Sequence, residues 1–316
     1  MSEKSPLLRL SYKKITDMNI ISVGNLEMGG TGKTPMVEYL VRMLINDDNN
    51  DSKSNSTRNS TPTGIVTRGY GRKDKTPHLA TPADTSATIG DEPMQYMQEF
   101  GNSVKIYVDA NRVRGINALT KAKLNTVILD DGFRHREVNP TLNILLTTWQ
   151  RPYFNDRILP FGRLRECRSS AKRADIIVVT KCPLALTEKE RNDFIKRINP
   201  LPHQKIFFAA LEYKMPDVAD KNITLVTGIA HPKLLEKHLQ QQGFNIVKHL
   251  NYSDHHNYTE KEINIIKNIK TPIFTTQKDK TKLPDMPNLY TVKVAHQFLF
   301  NSAEQFKENV LSLLKS

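Results

Sequence analysis

Short apolar runs alternate with helical patterns along the whole of this 316-residue chain. Runs at 19–23, 105–108, 126–129, 142–146, 176–179, 206–211, 223–227 and 273–276 are rich in Ile, Val and Leu, and several lack strict alternation. Strands buried on both faces read this way, so a mostly parallel sheet is expected. A further short strand is expected just before Thr67. Between the runs lie helix patterns. Residues 35–45 place Met36, Val37, Leu40, Val41 and Leu44 on one face. Thr187 with Glu190 and Thr259 with Glu262 have the spacing of capping boxes, and Ser302 with Gln305 has the glutamine form. Strand and helix in alternation predict an α/β fold.

One segment departs from this pattern. Residues 46–63, NDDNNDSKSNSTRNSTPT, hold almost nothing apolar, and a disordered surface loop is expected there. A boundary is expected near 211–222, where Met215-Pro216-Asp217 lies between two strands. It divides the chain into residues 1–212, with the loop inserted, and a smaller α/β unit at 213–316.

Composition narrows the class. Lys and Arg number 46 against 33 Asp and Glu, and this excess favours anionic partners such as phosphorylated substrates, anionic lipid or nucleic acid. No RNA-binding, zinc-finger or helix-turn-helix signature accompanies the charge, so no nucleic-acid partner is expected. Cys167 and Cys182 form no CxxC or metal-ligand spacing, which excludes a disulfide scaffold and a zinc site. No apolar run approaches the ~18 residues of a membrane span, and the first residues, MSEKSPLLRLSYKK, lack a secretory h-region. A chain that is soluble, or that sits on a membrane surface without crossing it, is expected.

The strongest chemical signal follows the first strand. Gly29-Gly30-Thr31-Gly32-Lys33-Thr34 runs into a helix that opens with Pro35. Glycines let backbone N–H groups curl around phosphate oxygens, and the helix N-terminus adds positive potential. Lys33 can reach the outer phosphates of ATP and the Thr34 hydroxyl can bind Mg²⁺. The usual pattern starts with Gly five residues before the final Gly of the loop; here that place is taken by Glu27. The run at 126–129 ends in Asp130-Asp131-Gly132, a second anchor for the metal, with either carboxylate able to serve. Thr67-Arg68-Gly69-Tyr70-Gly71-Arg72 could clamp an anion or be a basic turn. Gly90-Asp91-Glu92-Pro93 could supply a base or cap a helix. Asp254-His255-His256 could be part of a base pair, a metal fragment or a solvated turn.

Taken in order, these clusters resemble the tetraacyldisaccharide 4′-kinases, the lipid A 4′-kinases of Gram-negative bacteria. The likeness runs through SVGNL and GGTGKTP, then TRGYG, GDEP, DDGFRH, LPFGRLRE, TK at Thr180-Lys181, GIAHP, YSDHHNYT and TTQKDKTKL, over about residues 18–285. It implies a P-loop NTPase-like lobe followed by a smaller α/β lobe, and ATP- and Mg²⁺-dependent phosphorylation of the 4′-hydroxyl of a tetraacyldisaccharide 1-phosphate. By the same likeness Gly29 to Thr34 hold ATP, with Lys33 also catalytic, and Thr34 with Asp130 or Asp131 holds the metal. Asp91 is implied as the base and His255 as its support. Arg68, Tyr70, Glu92, Arg112, His135 and Arg165 are implied to line the substrate and phosphate region. The expected place is the cytoplasmic face of the inner membrane, on an anionic surface, with no obligate protein partner. Three features depart from the family. Only about 17 mostly polar residues precede the first strand, with Leu7, Leu8 and Leu10 their main apolar candidates. Arg134 stands where Gln is usual, and Gln277 where Glu is usual, both expected to alter local contacts. A nucleotide switch or chaperone-like NTPase would explain Lys33, Thr34 and Asp131, but not Asp91 or the Asp254-His255-His256 turn.

Overall fold

The computed structural model describes residues 18–47, 63–230 and 232–315. The loop expected at 46–63 and the N-terminal leucines fall almost wholly outside these residues. The elements run β1 (Asn19–Asn25), α1 (Lys33–Asp47), β2 (Thr63–Thr67), β3 (His78–Leu79), α2 (Ser86–Ile89), α3 (Asp91–Phe100), β4 (Val104–Val108), α4 (Arg112–Lys121), β5 (Thr126–Asp130), β6 (Leu142–Thr148) and β7 (Ile176–Thr180). They continue with α5 (Glu188–Ile198), β8 (Lys205–Lys214), β9 (Asn222–Thr227), α6 (Pro232–Gln241), β10 (Asn245–Asn251), α7 (Glu260–Lys267), β11 (Ile273–Thr276), α8 (Gln277–Lys280), β12 (Leu289–Phe298) and α9 (Ala303–Lys315).

Twelve strands join in the order β10-β9-β11-β12-β8-β7-β6-β1-β5-β2-β4-β3. All pairs are parallel except β4 with β3 at one edge and β8 with β12 in the interior. The β8–β12 seam, Lys293 opposite Lys214 through Phe298 opposite Ala209, joins two parallel blocks. The fold is therefore α/β and mostly parallel, as the apolar runs predict.

Burial on both faces accounts for those runs. Ile21, Val23, Ile128 and Ile144 pack on α1 through Met36, Val37, Leu40 and Val41. On the other face, Val66, Val127 and Leu129 meet Ile116 and Leu119 of α4, while Ile177 and Val179 meet Phe194 and Ile198 of α5. The second block has its own cores, one around Leu225, Leu235 and Phe274 and one around Val226, Ile266 and Ile273. The final helix α9 returns to the first block, where Phe306 and Val310 join the core beside Phe207. Both threonine capping boxes form. At Ser302 the hydroxyl donates backwards to the Leu299 carbonyl at 2.7 Å.

Parallel strands all deliver their C-terminal ends to one edge of the sheet, and ligand crevices lie there in open α/β sheets. Asn25, Thr67, Asp130, Thr148 and Thr180 end β1, β2, β5, β6 and β7 at that edge.

Candidate active site

The turn from β1 into α1 has the glycine backbone expected of a phosphate-binding loop. Gly29 and Gly32 have φ of 110° and 87°, a region where an L side chain is strained. Open space lies where a side chain of Gly30 would stand. The loop is braced from three sides. Asn25 donates its Nδ2–H to the Glu27 carbonyl at 2.9 Å, and the Thr180 hydroxyl donates to the Thr31 carbonyl at 2.8 Å. From β12, His296 Nε2 lies 2.9 Å from the Gly32 carbonyl. Burial pushes the His296 pKa down to about 4, so its ring is neutral and donates in the Nε2–H tautomer.

Lys33 opens α1 and aims back at the end of β1. Its Nζ donates to Asn25 Oδ1 at 3.3 Å and stands 3.6 Å from Asp131 Oδ1. Arg165 reaches the same pair, donating to Asn25 Oδ1 at 2.8 Å and to Asp131 Oδ1 at 3.2 Å. Burial would raise the Asp131 carboxyl, but Lys33 and Arg165 outweigh it and hold the group below its ordinary value. Asp130 differs. Burial, with Glu92 adding to it, pushes its carboxyl up to about 6, while the Thr67 hydroxyl donates to it at 3.2 Å. Thr34, half-buried in the first turn of α1, faces Tyr96 of α3.

Asp91 is the first residue of α3. The preceding Gly90, at φ 97°, approaches Gly69 so closely that a side chain there would sit 2.9 Å from the Gly69 Cα. The TRGYG and GDEP loops thus pack backbone to backbone. Asp91 Oδ2 lies 3.0 Å from His255 Nδ1 and 2.7 Å from Lys282 Nζ. Burial alone would raise its carboxyl, but hydrogen bonds from His255 and Lys282 bring it below the ordinary value. His255 itself is held at φ 60° by a bond from its N–H to the Gly228 carbonyl, 3.1 Å. Gly228 N–H in turn donates to Asp279 Oδ2 at 3.0 Å, and the Thr276 hydroxyl donates to the same oxygen at 2.7 Å. The GIAHP and TTQKDKTKL motifs therefore serve as a mount for His255. Tyr70 is exposed and packs its ring 5.1 Å from the His255 ring.

The remaining residues singled out by sequence take different positions. Arg68 is exposed beside Tyr70, and Glu92 is half-buried next to Asp130. His135 pairs with Glu137 at 2.9 Å, and burial with Arg112 nearby lowers its pKa. Arg112 is 1 % exposed and donates to the carbonyls of Asp109 at 2.6 Å and Asp130 at 3.0 Å, so it lies under the β5 turn. Arg134 is exposed, and Gln277 accepts from the Val294 N–H at 3.1 Å, stitching α8 to β12. Asn25, Lys282 and Asp279 complete the arrangement, and the sequence assigns none of them a role of its own. Lys282 is one of three lysines within five residues, and nothing in that spacing marks which one turns inward.

The donor set fits a nucleotide with its cation. The loop is a glycine-lined cradle, and Lys33 stands at its helix end. Among the described residues no group of three or more His, Cys, Asp or Glu could hold a metal. A cation here would take Thr34, one carboxylate and phosphate oxygens, the oxygen-rich set that Mg²⁺ prefers.

Comparison with known proteins identifies the family. The family model for tetraacyldisaccharide-1-P 4′-kinase matches residues 6–315. The tetraacyldisaccharide 4′-kinase of Phocaeicola vulgatus is 35% identical, over 95% of this chain and 87% of that protein. That of Flavobacterium johnsoniae is 35% identical, over 95% of this chain and 88% of that protein. The crystal structure of LpxK from Aquifex aeolicus in complex with ATP superposes with a TM-score of 0.72 at 26% identity, covering 94% of this chain and 89% of that one. Motif order, fold and a match along nearly the whole length converge: the chain belongs to the tetraacyldisaccharide-1-phosphate 4′-kinase family.

Proposed function

We propose that the cleft transfers the γ-phosphoryl group of ATP to the 4′-hydroxyl of a tetraacyldisaccharide 1-phosphate. The observation that carries this reading is the pairing of Asp91 with His255 and Lys282 beside a phosphate-binding loop. A nucleotide switch has no use for that pairing. The amides of Gly29 to Gly32 and the Lys33 ammonium hold the phosphates. Thr34 and Asp130 would hold Mg²⁺, because Asp131 is already neutralised by Lys33 and Arg165, while among the described residues the Asp130 carboxylate accepts from the Thr67 hydroxyl and from no cation. When bound there, such an ion would supply neutralisation of the charge that builds on the transferring group.

Both contacts of Asp91 fall on Oδ2, which leaves Oδ1 for the acceptor hydroxyl. Phosphoryl transfer with a loose transition state makes that proton acidic late, so a carboxylate of low basicity serves as the base. His255 and Lys282 fix its rotamer. Arg68, Tyr70, Glu92, His135 and Arg165 line the approach, and Arg112 acts from below through Asp130. In this reading residues 1–212 form the phosphate-binding lobe and 213–316 the smaller lobe, with α9 reaching back to the first core.

The acceptor carries acyl chains and ATP is cytoplasmic, so the enzyme works at the cytoplasmic face of the inner membrane as a peripheral protein. No described helix is long and apolar enough to cross a membrane. The test is transfer of label from γ-labelled ATP to the lipid disaccharide, against a control with water as sole acceptor. Labelled lipid is expected; release of phosphate with no labelled lipid would overturn the assignment.

A further inference from the structure

The LPFGRLRE motif and the residue before it hold three exposed apolar side chains close to the phosphate loop. Phe161 is 82 % exposed, Leu159 47 % and Ile158 46 %. Their loop is not loosely hung. Leu159 N–H donates to the Leu164 carbonyl at 2.9 Å, Leu164 N–H to the Arg157 carbonyl at 2.9 Å, and Phe161 N–H to the Ile158 carbonyl at 3.0 Å. The backbone is satisfied within the loop, while its largest side chains face water. A well-ordered apolar tip of this kind marks an interaction surface.

Charge identifies the partner. Arg157 and Arg168 are exposed beside the tip. The nearby acid, Asp156, is engaged by the Arg157 and Arg163 N–H groups at 2.8 and 3.1 Å. Behind the tip is a shallow cavity of about 430 Å³ floored by Ile158, Phe161, Leu164 and Cys167, with Arg157 and Arg168 at its rim. Apolar tip and cationic collar match acyl chains beneath anionic headgroups.

Position supplies the third argument. The root of the loop is bonded to the phosphate loop. Met28 N–H donates to the Arg163 carbonyl at 2.8 Å, Arg165 N–H to the Leu26 carbonyl at 2.7 Å, and the Arg163 guanidinium to the Met28 carbonyl at 2.6 Å. Anything that seats the tip therefore seats the catalytic rim.

We propose that Ile158, Leu159 and Phe161 insert into an anionic lipid leaflet while Arg157 and Arg168 rest on its headgroups, docking the phosphate loop at the bilayer surface. The choice of partner rests on the lipid-kinase reading above. The experiment is sedimentation of the full chain with vesicles of phosphatidylcholine alone or mixed equally with phosphatidylglycerol. Leu159→Ser with Phe161→Ser should lower partitioning onto mixed vesicles about tenfold, the loss of roughly one buried aromatic side chain's transfer energy. Arg157→Gln with Arg168→Gln should lower binding to mixed vesicles and leave neutral ones unaffected. Melting temperature and ATP affinity should stay at the wild-type values in both. A Leu7, Leu8 and Leu10 to Ser variant serves as the comparison. Wild-type partitioning by the loop variants, or no vesicle binding by the wild-type chain, overturns the proposal. Vesicle binding is read without turnover. Docking without lipid phosphorylation would sink only the functional reading, and phosphorylation with unaltered loop variants would sink only the docking.

Discussion

Lys282 places its ammonium 2.7 Å from the Asp91 carboxylate, with the two side chains only 4 % and 9 % exposed. A buried carboxylate with one such partner is bound to it closely, and removing the partner leaves an uncompensated charge. Lys282→Met should therefore cost up to about 3 kcal/mol of stability. A purely structural pair would show that loss alone. Because Lys282 helps hold the Asp91 carboxyl below its ordinary value, its removal should also move the acid limb of the kcat/KM profile to higher pH. Lys282→Arg should restore most of the wild-type profile. An unmoved acid limb in a folded Lys282→Met protein would confine the lysine to a structural role.

The shared oxygen makes a second, sharper expectation. His255 and Lys282 both address Asp91 Oδ2. Asp91→Asn keeps size and shape while removing the charge, so turnover should fall at least ~100-fold with ATP affinity and melting temperature nearly unchanged. His255→Ala should cost less. Residues that act as a unit are not additive, so the double variant should lose less, in free energy, than the two single losses together. Full additivity, or near-normal turnover in Asp91→Asn, would remove the pair from the chemistry.

The phosphate clamp can be tested apart from the base. Lys33 and Arg165 converge on Asn25 and Asp131, and all four groups lie where the strand ends meet the loop. Catalysis of phosphoryl transfer is mostly positioning and charge neutralisation. Lys33→Ala and Asp131→Ala should each lower turnover at least ~100-fold in protein that folds normally by circular dichroism. Wild-type turnover in either would exclude that residue from the clamp.

How much of this was legible in the chain depends on what kind of signal each part leaves. Strands β1, β5, β6 and β7 are buried on both faces and leave continuous apolar runs. By contrast, β10 is an edge strand, NIVKHLN, largely solvent-facing, and β12 mixes buried, half-buried and exposed positions without regular alternation. Neither leaves a clean period, and both escape a reading based on runs. The phosphate loop is legible because its chemistry is local, a string of glycines before Lys33. Asp91 and His255 are 164 residues apart, so only the resemblance of ordered motifs joins them in advance. Lys282 and Asn25 carry no local mark at all. Their roles depend on which way a side chain turns after the sheet is assembled. Arg112 shows the reverse case: the resemblance implies a place in the substrate and phosphate region, yet packing puts it in the first turn of α4 under the β5 turn, bonded to two carbonyls.

Glu27 carries the last prediction. It occupies the place in the phosphate loop where glycine is usual, and its backbone pairs with Leu164. Its side chain is buried, and neither carboxyl oxygen makes a hydrogen bond of good geometry. Burial raises its pKa from 4.5 to about 7, even though Arg163, Lys33 and the Thr148 N–H pull the other way. The sign of the consequence follows from proton counts. Below pH 4.5 the carboxyl is protonated in both folded and unfolded chains and the site adds no pH-dependent term. Between 4.5 and 7 the unfolded chain has released a proton that the folded chain keeps, so stability falls as pH rises, by at most about 1.4 kcal/mol per pH unit. Above 7 both forms are ionised and the accumulated loss levels off, on the order of 1–3 kcal/mol. Glu27→Gln abolishes the titration while keeping the shape. Its melting temperature relative to wild type should therefore rise from pH 5 to about pH 7 and level off by pH 8, in buffers of matched ionic strength and without nucleotide. A difference that stays flat across that range would mean that Glu27 ionises as an ordinary exposed carboxylate, and that the phosphate loop opens to water at this position.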